Sequence, residues 1–473
     1  MPVVALPFIT PPRRPARLCL AALAVLSTVA CAITDPPPPA PPALPAQWTE
    51  SNTVAPNAAP VDAAWWRHFG SAQLSALIDE ALAANTDLRI AAERVRQADL
   101  ALAIANVARA PVVSGSAGTS ASRSKADGED GIRRETTSLG LTASYEIDLW
   151  GRIAATIRAS RASLAATRFD AQTVRLTVAA NVANTYFQWL AARERLHIAR
   201  DNLATAERVL GVVEAKRRHG IATALEVSQQ RTTVLSQRTA LIPLELQQRQ
   251  AASALALLLG RLPQDAALQE ETFADLAIPL VEPGLPSTLL YRRPDLASAE
   301  AALSAASANV AAARAALLPS FGLSISGGAS SAQLLSLANP ASTLSAGLSL
   351  AQTLFDSGRL QRQVDLSLSQ REVLVATYEA AVRSALKEVD DSLGNIDRSH
   401  RQTLAQRAVL DQARESLRLA ELRYREGAGD LLAVLDAQRV LFTAQDAMST
   451  LRLSHLSATV DLYRALGGGW SAT

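Results

Sequence analysis

Cysteine is nearly absent from this chain: of 473 residues only Cys19 and Cys31 carry a thiol, both within the first 31 positions. Everything beyond them is therefore without an internal disulfide or a thiolate metal site, and folding must rest on packing. Aromatic residues are scarce at 4%, while half of the chain is apolar and rich in Ala, Leu, Arg, Gln and Ser, a helix-forming composition unlike that of a mixed enzyme. An excess of either charge is missing too. The formal net charge is +2, with basic and acidic side chains interleaved along helical faces, which gives no support to nucleic acid as a partner. The five histidines, His68, His197, His219, His400 and His455, are scattered along the sequence and form no metal spacing. No nucleotide loop, nucleophile elbow or carboxylate-pair motif stands out, so no catalytic residue and no cofactor is expected. Asp390-Asp391 is an adjacent acidic pair, but neighbours in a helix do not share a face, and a solvated surface is the expectation. A spanning apolar helix is also lacking, since the run from Leu18 to Ala30 falls short of the ~20 residues needed to cross a bilayer.

That short run follows Arg13-Arg14-Pro15-Ala16-Arg17, and a basic start before a short apolar core reads as a signal peptide over 1–30. Thr28-Val29-Ala30-Cys31 resembles a bacterial lipoprotein cleavage box, with Thr28 in place of the usual Leu; it predicts acylation of Cys31, ordinary cleavage being the alternative. Residues 31–62 read as an anchored linker, because prolines at 36–39, 41, 42, 45, 56 and 60 favour an extended, semi-rigid path. Trp48, Trp65, Trp66 and Phe69 around its end are expected to pack against the body.

Proline, absent from 152 to 242 and again after Pro340, leaves room for very long helices. Arg152 to His219 is 68 residues of helical pattern, roughly 100 Å at 1.5 Å per residue. The chain is written twice. Gly151, Gly220 and Gly260 return as Gly358, Gly427 and Gly467, each 207 positions later, and Leu82, Asp87-Leu88 and Pro111 return as Leu290, Asp295-Leu296 and Pro319 at an offset of 208. A first repeat over 63–260 and a second over 287–467 are thus joined by a proline-containing connector, 261–286, and followed by a tail, 468–473. The connector and tail are expected to form a belt beside the rods.

Each repeat opens with helices, at Leu74 to Leu82 and Thr86 to Arg109 in the first, and then changes period. After Pro111 comes a Gly/Ser/Thr-rich stretch, a charged turn from Arg123 to Glu135, and an alternation with Leu139, Leu141, Ala143, Tyr145, Ile147 and Leu149 on one face and Gly140, Thr142, Ser144, Glu146 and Asp148 on the other. The second copy alternates Phe321, Leu323 and Ile325 with Gly322, Ser324 and Ser326. After a turn at Asn339-Pro340 it alternates Leu344, Ala346, Leu348 and Leu350 with Ser345, Gly347 and Ser349. Strand hairpins are predicted over about 112–149 and 320–355. Strands of this length suit a tilted crossing of a bilayer, but four cannot close a barrel, and open edges in lipid cost several kcal/mol per unpaired amide. Membrane entry would require three copies and twelve strands; a soluble sheet packing one face on helices is the alternative.

Barrel-to-helix turns are read at Gly151 and Gly358. Helical hairpins follow over 152–260 and 358–466, with apolar steps of 3, 4 and 7 at Val382, Leu386, Val389, Leu393 and Ile396, and with Leu203 and Leu210 matching Leu410 and Leu417. The hairpins turn at Gly220 and at Gly427 to Asp430.

Taken together, the repeated unit, Cys31, Leu149-Trp150-Gly151-Arg152, Arg292-Arg293-Pro294-Asp295-Leu296 and the stretch Tyr424 to Gln438 resemble the outer membrane efflux protein family of TolC type, closest to its lipid-anchored members in resistance-nodulation-division drug pumps. The resemblance implies a mainly α fold with a membrane β-barrel: a homotrimer with a twelve-stranded barrel in the outer membrane and a trimeric α-barrel tunnel in the periplasm. It implies a periplasmic adaptor and an inner-membrane resistance-nodulation-division transporter as partners, and outer membrane lipid around the strands. A periplasmic gate formed by Asp436, with an apolar ring at Leu432, is also implied; Asp430 has no assigned role, and Gln229 stands where the first repeat would carry the counterpart of Asp436. The expected function is a passive exit duct for small molecules. A type I protein secretion channel and a non-conducting periplasmic coiled-coil scaffold are the alternatives.

Overall fold

The computed structural model describes residues 44–50, 61–125, 132–265, 268 and 271–471. Cys31 and the signal and linker readings up to residue 43 lie outside them. The chain divides into two compact units, one of Ala98–Leu164 with Ala302–Val375, the other of Ala40–Gln97, Ala165–Ala301 and Ala376–Thr473, beside the N-terminal segment that is not described. In chain order the elements are α1 (Ala72–Ala84), α2 (Thr86–Val107), β1 (Val112–Ser124), β2 (Ile132–Ile147), α3 (Arg152–Arg218), α4 (Ala224–Leu258), α5 (Leu289–Arg292), α6 (Pro294–Ala315), β3 (Ser320–Ser331), β4 (Ala341–Ala351), α7 (Arg359–Arg425) and α8 (Leu431–Ala465). The two copies agree closely in length, with 67 residues in both α3 and α7 and 35 in both α4 and α8.

The strand unit holds one antiparallel sheet in the order β1-β2-β3-β4. Its register sorts the alternation seen in the sequence. Leu141 pairs with Gly115 and Gly327, Tyr145 with Leu323, Leu323 with Leu348, and Ile147 with Phe321, so apolar positions line up on one face across the strands. The opposite face carries rows such as Ser114, Thr142, Ser326 and Ser345, with Ser326 and Ser345 hydroxyls 2.8 Å apart. The leucines are not covered: Leu141 is 63% exposed, Leu348 70% and Leu344 84%. That removes the soluble reading, in which helices would bury one face.

Two details differ from expectation. The charged turn is shorter than 123–135, because Arg123↔Arg133 and Ala121↔Glu135 are ladder pairs; long charged side chains project clear of an exposed strand at no packing cost. Leu149 and Asp148 lie beyond β2, since the backbone turns at the Leu149 amide, which donates to the Ile147 carbonyl at 2.9 Å.

The helical unit is held by three larger apolar clusters and a small fourth one of Leu196, Ala199 and Leu244. The largest joins Trp65, Phe69, Ile78, Phe187, Leu255, Phe273 and Tyr463; Trp65 stacks on Tyr463 at 5.2 Å and Phe69 tilts against Phe187 at 5.1 Å. The connector enters this core through Phe273 and Leu276, and Arg452 ties it down by donating to the carbonyls of Phe273, Ala274 and Leu276 at 3.0, 2.6 and 2.7 Å. A second cluster joins Trp48, Leu289, Leu296, Val382, Val389 and Leu462. Trp48 donates to the Gly284 carbonyl at 2.8 Å, and the Thr49 amide donates to Asp390 at 3.1 Å. Asp390 is thus a strap point for the N-terminal segment and not merely solvated, while its neighbour Asp391 pairs with Lys387.

The third cluster lies by the hairpin turns, with Val209 and Val213 against Leu410, Leu417, Tyr424, Leu431 and Val434. Here the coiled-coil reading needs a correction. Leu410 and Leu417 are buried as expected, but their first-repeat matches Leu203 and Leu210 are only half-buried, and the buried positions on this stretch of α3 are Asn202, Ala206, Val209 and Val213. The α3 seam is thus turned from that of α7 by less than the ~100° of one residue, because Ala206 and its match Ala413 are buried in both.

Candidate functional site

Both hairpin turns are built by the same hydrogen bonds. In the first, the Gly220 amide donates to Arg217 at 3.0 Å and the Ile221 amide to Lys216 at 2.9 Å; in the second, Gly427 donates to Tyr424 at 3.2 Å and Ala428 to Arg423 at 2.9 Å. Each pattern closes a helix with a left-handed residue, and Gly220 (φ 75°) and Gly427 (φ 79°) supply it at no steric cost. The chain restarts through different caps. Thr223 forms a capping box with Glu226, whereas Asp430 caps α8 alone by accepting from the Ala433 amide at 2.9 Å. Asp430 therefore has a local structural task.

One cluster ties the first turn to the second. The Lys216 ammonium sits 4.5 Å from the centre of the Tyr424 ring and donates to the Tyr424 carbonyl, and the Tyr424 hydroxyl donates to Glu226 at 3.4 Å. Burial, reinforced by Glu226, pushes the Tyr424 hydroxyl up to about 12, so it stays protonated as a donor. The Thr223 amide, despite some burial, holds Glu226 below the usual carboxylate range. Nothing in the sequence flagged Lys216 or Glu226; their link to Tyr424 spans about two hundred residues.

Between α4 and α8 runs an open groove of 570 Å³, lined by Gln229, Thr232, Thr233 and Ser236 on one side and by Leu432, Leu435, Asp436, Arg439 and Phe442 on the other. It brings the two predicted gate residues to one surface. Leu432 is 67% exposed within the chain, so it does not serve local packing. Asp436 accepts from Arg439 at 2.6 Å, with 61% of its side chain exposed. An exposed pair three residues apart in a helix contributes only a few tenths of a kcal/mol, which leaves the carboxylate available to a convergent charge.

The barrel-side turns are as similar to each other as the tip turns. Gly151 (φ 74°) and Gly358 (φ 81°) precede α3 and α7. Asp148 accepts from the amides of Ile153 and Ala154 at 3.1 and 2.8 Å, and Asp356 from those of Gly358 and Leu360 at 3.0 Å each. Asp148 was expected on a strand face; it is instead a helix cap, the role that its spacing to Gly151-Arg152 could have signalled. Arg152 holds Glu146 in a two-point ion pair at 3.0 and 2.7 Å.

His400 and His455, far apart in sequence, come together with ring centres 6.2 Å apart, and burial together with His400 and Arg452 pushes His455 below its ordinary value. Among the described residues no group of three or more His, Cys, Asp or Glu could hold a metal ion, and no helix is long and apolar enough to cross a membrane.

The family model described as outer membrane efflux protein matches residues 77–261 and 285–468, one match per repeat. The chain is 41% identical over 459 residues to the pyoverdine export outer membrane protein OpmQ of Pseudomonas aeruginosa, covering 95% of this chain and 96% of that one. It is 34% identical over 473 residues to the toluene efflux pump outer membrane protein TtgC of Pseudomonas putida, covering 95% and 96%. Among solved structures it is similar to the outer-membrane channel OprN, with a TM-score of 0.85 at 28% identity over 93% of this chain and 99% of that one. On the doubled match, these identities and the shared fold, the chain belongs to the outer membrane efflux protein family, the TolC-type channels through which efflux pumps discharge.

Proposed function

We propose that three copies of this chain form the outer membrane exit duct of a tripartite efflux pump, working with a periplasmic adaptor and an inner-membrane resistance-nodulation-division transporter. The observation that carries this reading is the sheet: it exposes a leucine-rich face, and its outer strands β1 and β4 each pair on one side only. In water such a sheet is an aggregation liability, and in lipid its free edges are forbidden. Closing three sheets edge to edge removes both problems and turns the Ser/Thr/Gly face toward a water-filled lumen. From Leu139 to Ile147 the apolar face extends ~27 Å along β2, which after strand tilt approaches the usual lipid-facing band.

In the closed assembly three copies of Asp436 would converge near the axis, with Leu432 one helical turn away as an apolar ring. Like charges at a constriction repel one another and attract cations, so the closed tip is an unstable arrangement held by neighbouring contacts and released by a partner. Acylation at Cys31 would add a membrane anchor. The 17 residues from there to the docked Trp48 would reach ~50 Å if extended. The cargo is a small molecule; pyoverdine export by the relative OpmQ makes pyoverdine-like compounds the first class to test. Purified protein in planar lipid bilayers should show ion conductance and run as a trimer after cross-linking. A water-soluble, non-conducting monomer would remove the duct reading.

A further inference from the structure

The two loops at the far ends of the strand hairpins differ in kind. The sequence between β1 and β2, residues 125–131, carries four charged residues and is flanked by Arg123, Arg133, Arg134 and Glu135 at the strand ends, whereas residues 332–340 between β3 and β4 carry none. The uncharged loop presents Leu334, Leu335 and Leu337 at the surface, Leu335 being 80% exposed and held at φ 55°, a left-handed conformation that a leucine avoids. An exposed leucine fixed in a strained backbone points to a contact that is missing from the isolated chain.

Two hydroxyls reveal which side of the sheet this loop leans over. The Thr137 hydroxyl donates to the Gln333 carbonyl at 2.7 Å, and the Ser331 hydroxyl donates to the Ala338 carbonyl at 3.0 Å. Thr137 and Ser331 are ladder partners, two residues along from Leu139 and Ala329, so both hydroxyls rise from the apolar face. Ser331 is only 5% exposed, alone among the residues of β3 in being buried, because the loop covers it. The loop therefore folds toward the leucine-bearing face and away from the Ser/Thr/Gly face.

We infer that the β3–β4 loop is a lipid-contacting element, seating Leu334, Leu335 and Leu337 at the boundary between headgroups and acyl chains of the outer leaflet. The inference rests on the barrel reading and extends its lipid surface past the last strand pairs. Continuity decides the occupant. The leucines adjoin the apolar face across the short polar row of Thr119, Thr137 and Ser331, and apolar side chains beyond such a row find acyl chains as the nearest apolar medium. Three copies would place nine leucines around the rim.

The test uses environment-sensitive fluorophores on single cysteines in a C31S background, placed by L335C in the loop, L348C in the apolar face of β4 and K125C beside the charged loop. The full chain is reconstituted into phosphatidylcholine vesicles carrying a nitroxide at the shallow end of an acyl chain. The inference expects several-fold quenching and blue-shifted emission at both L335C and L348C, and neither at K125C. Quenching at L348C with L335C behaving like K125C would overturn the loop assignment and leave the barrel standing. No quenching at L348C would overturn both.

Discussion

Asn85 and Arg293 occupy the same place in the two repeats, and the difference between them is instructive. Each starts a helix and reaches the end of the corresponding return helix. Asn85 donates to the Leu258 carbonyl at 2.8 Å, and Arg293 to the Ala465 carbonyl at 3.1 Å. Behind each lies a glycine too close for a side chain: a Cβ on Gly260 would meet the Ala84 carbonyl at 2.7 Å, and one on Gly467 the Arg292 carbonyl at 1.8 Å. The first repeat closes this joint with a neutral amide that also caps α2 through the Asp87 amide at 2.8 Å. The second closes it with a buried cation, held by Asp295 at 3.0 and 2.7 Å and by Glu388 at 2.9 Å. Burial opposes the charge on Arg293, and the two carboxylates more than offset that opposition. Duplication kept the joint and changed its chemistry, committing the second repeat to three residues where the first uses one.

Breaking the joints should expose that difference. Arg293→Ala removes both ion pairs and the bond to the Ala465 carbonyl and is expected to cost roughly 2–3 kcal/mol, against about 1–2 kcal/mol for Asn85→Ala. Thermal unfolding of the two variants side by side reads the difference, and equal losses would show that the ion pairs add nothing over the amide. At the tip turns the repeats should behave alike. Neither Gly220 nor Gly427 has an atom within 4 Å of an added Cβ, so alanine at each meets only the left-handed backbone penalty of about 1–2 kcal/mol. A markedly larger loss at one turn in the same melting experiment would mean that it touches something in the assembly that the other does not.

Gln230 and Gln438 sharpen the comparison by sign. Both are fully buried, but Gln230 donates to the Ala206 carbonyl at 2.9 Å while neither polar atom of the Gln438 amide has a partner. Gln230→Leu should lose about 1 kcal/mol, and Gln438→Leu should be neutral or gain up to about 1 kcal/mol. Destabilisation by Gln438→Leu would point to a water or neighbouring subunit satisfying that amide. The smallest stability effect belongs to the proposed gate positions. Asp436→Asn removes an exposed pair contributing less than about 0.5 kcal/mol, yet it should lower cation selectivity in bilayer recordings, and Gln229→Asp should raise it. Unchanged reversal potentials in both variants would remove the acidic ring from the account.

The doubled plan was legible because glycines and prolines punctuate it. Gly151, Gly220 and Gly260 recur with a constant offset, and each stands where the backbone needs a positive φ or a close approach. The strand faces were legible from alternation, since register can align Leu141 with Leu323 and Leu348 on one face only if the pleat is kept. The α3 seam was not. Leu203 and Leu210 fit the spacing, but the other helices cover Val209 and Val213, and a periodic pattern does not say which of its stripes will be covered. Asp148, Asp390 and Lys216 were misread or missed for the same kind of reason: each acts through a backbone amide, carbonyl or ring supplied by a turn or by a distant segment.

Periodicity, turn residues and the repeat offset are local properties, and they by themselves determined the element order, the two copies, the amphipathic sheet and the family to which the chain belongs. The tertiary structure decided which surfaces are spent inside the chain and which are left over. It buried Trp48, Val209 and Tyr424, left Leu432, Asp436 and the leucines of the sheet exposed, and folded the β3–β4 loop toward the apolar face. Burial depends on partners far away in sequence, so only packing could separate the residues that hold this chain together from those that remain for lipid, lumen and neighbouring subunits.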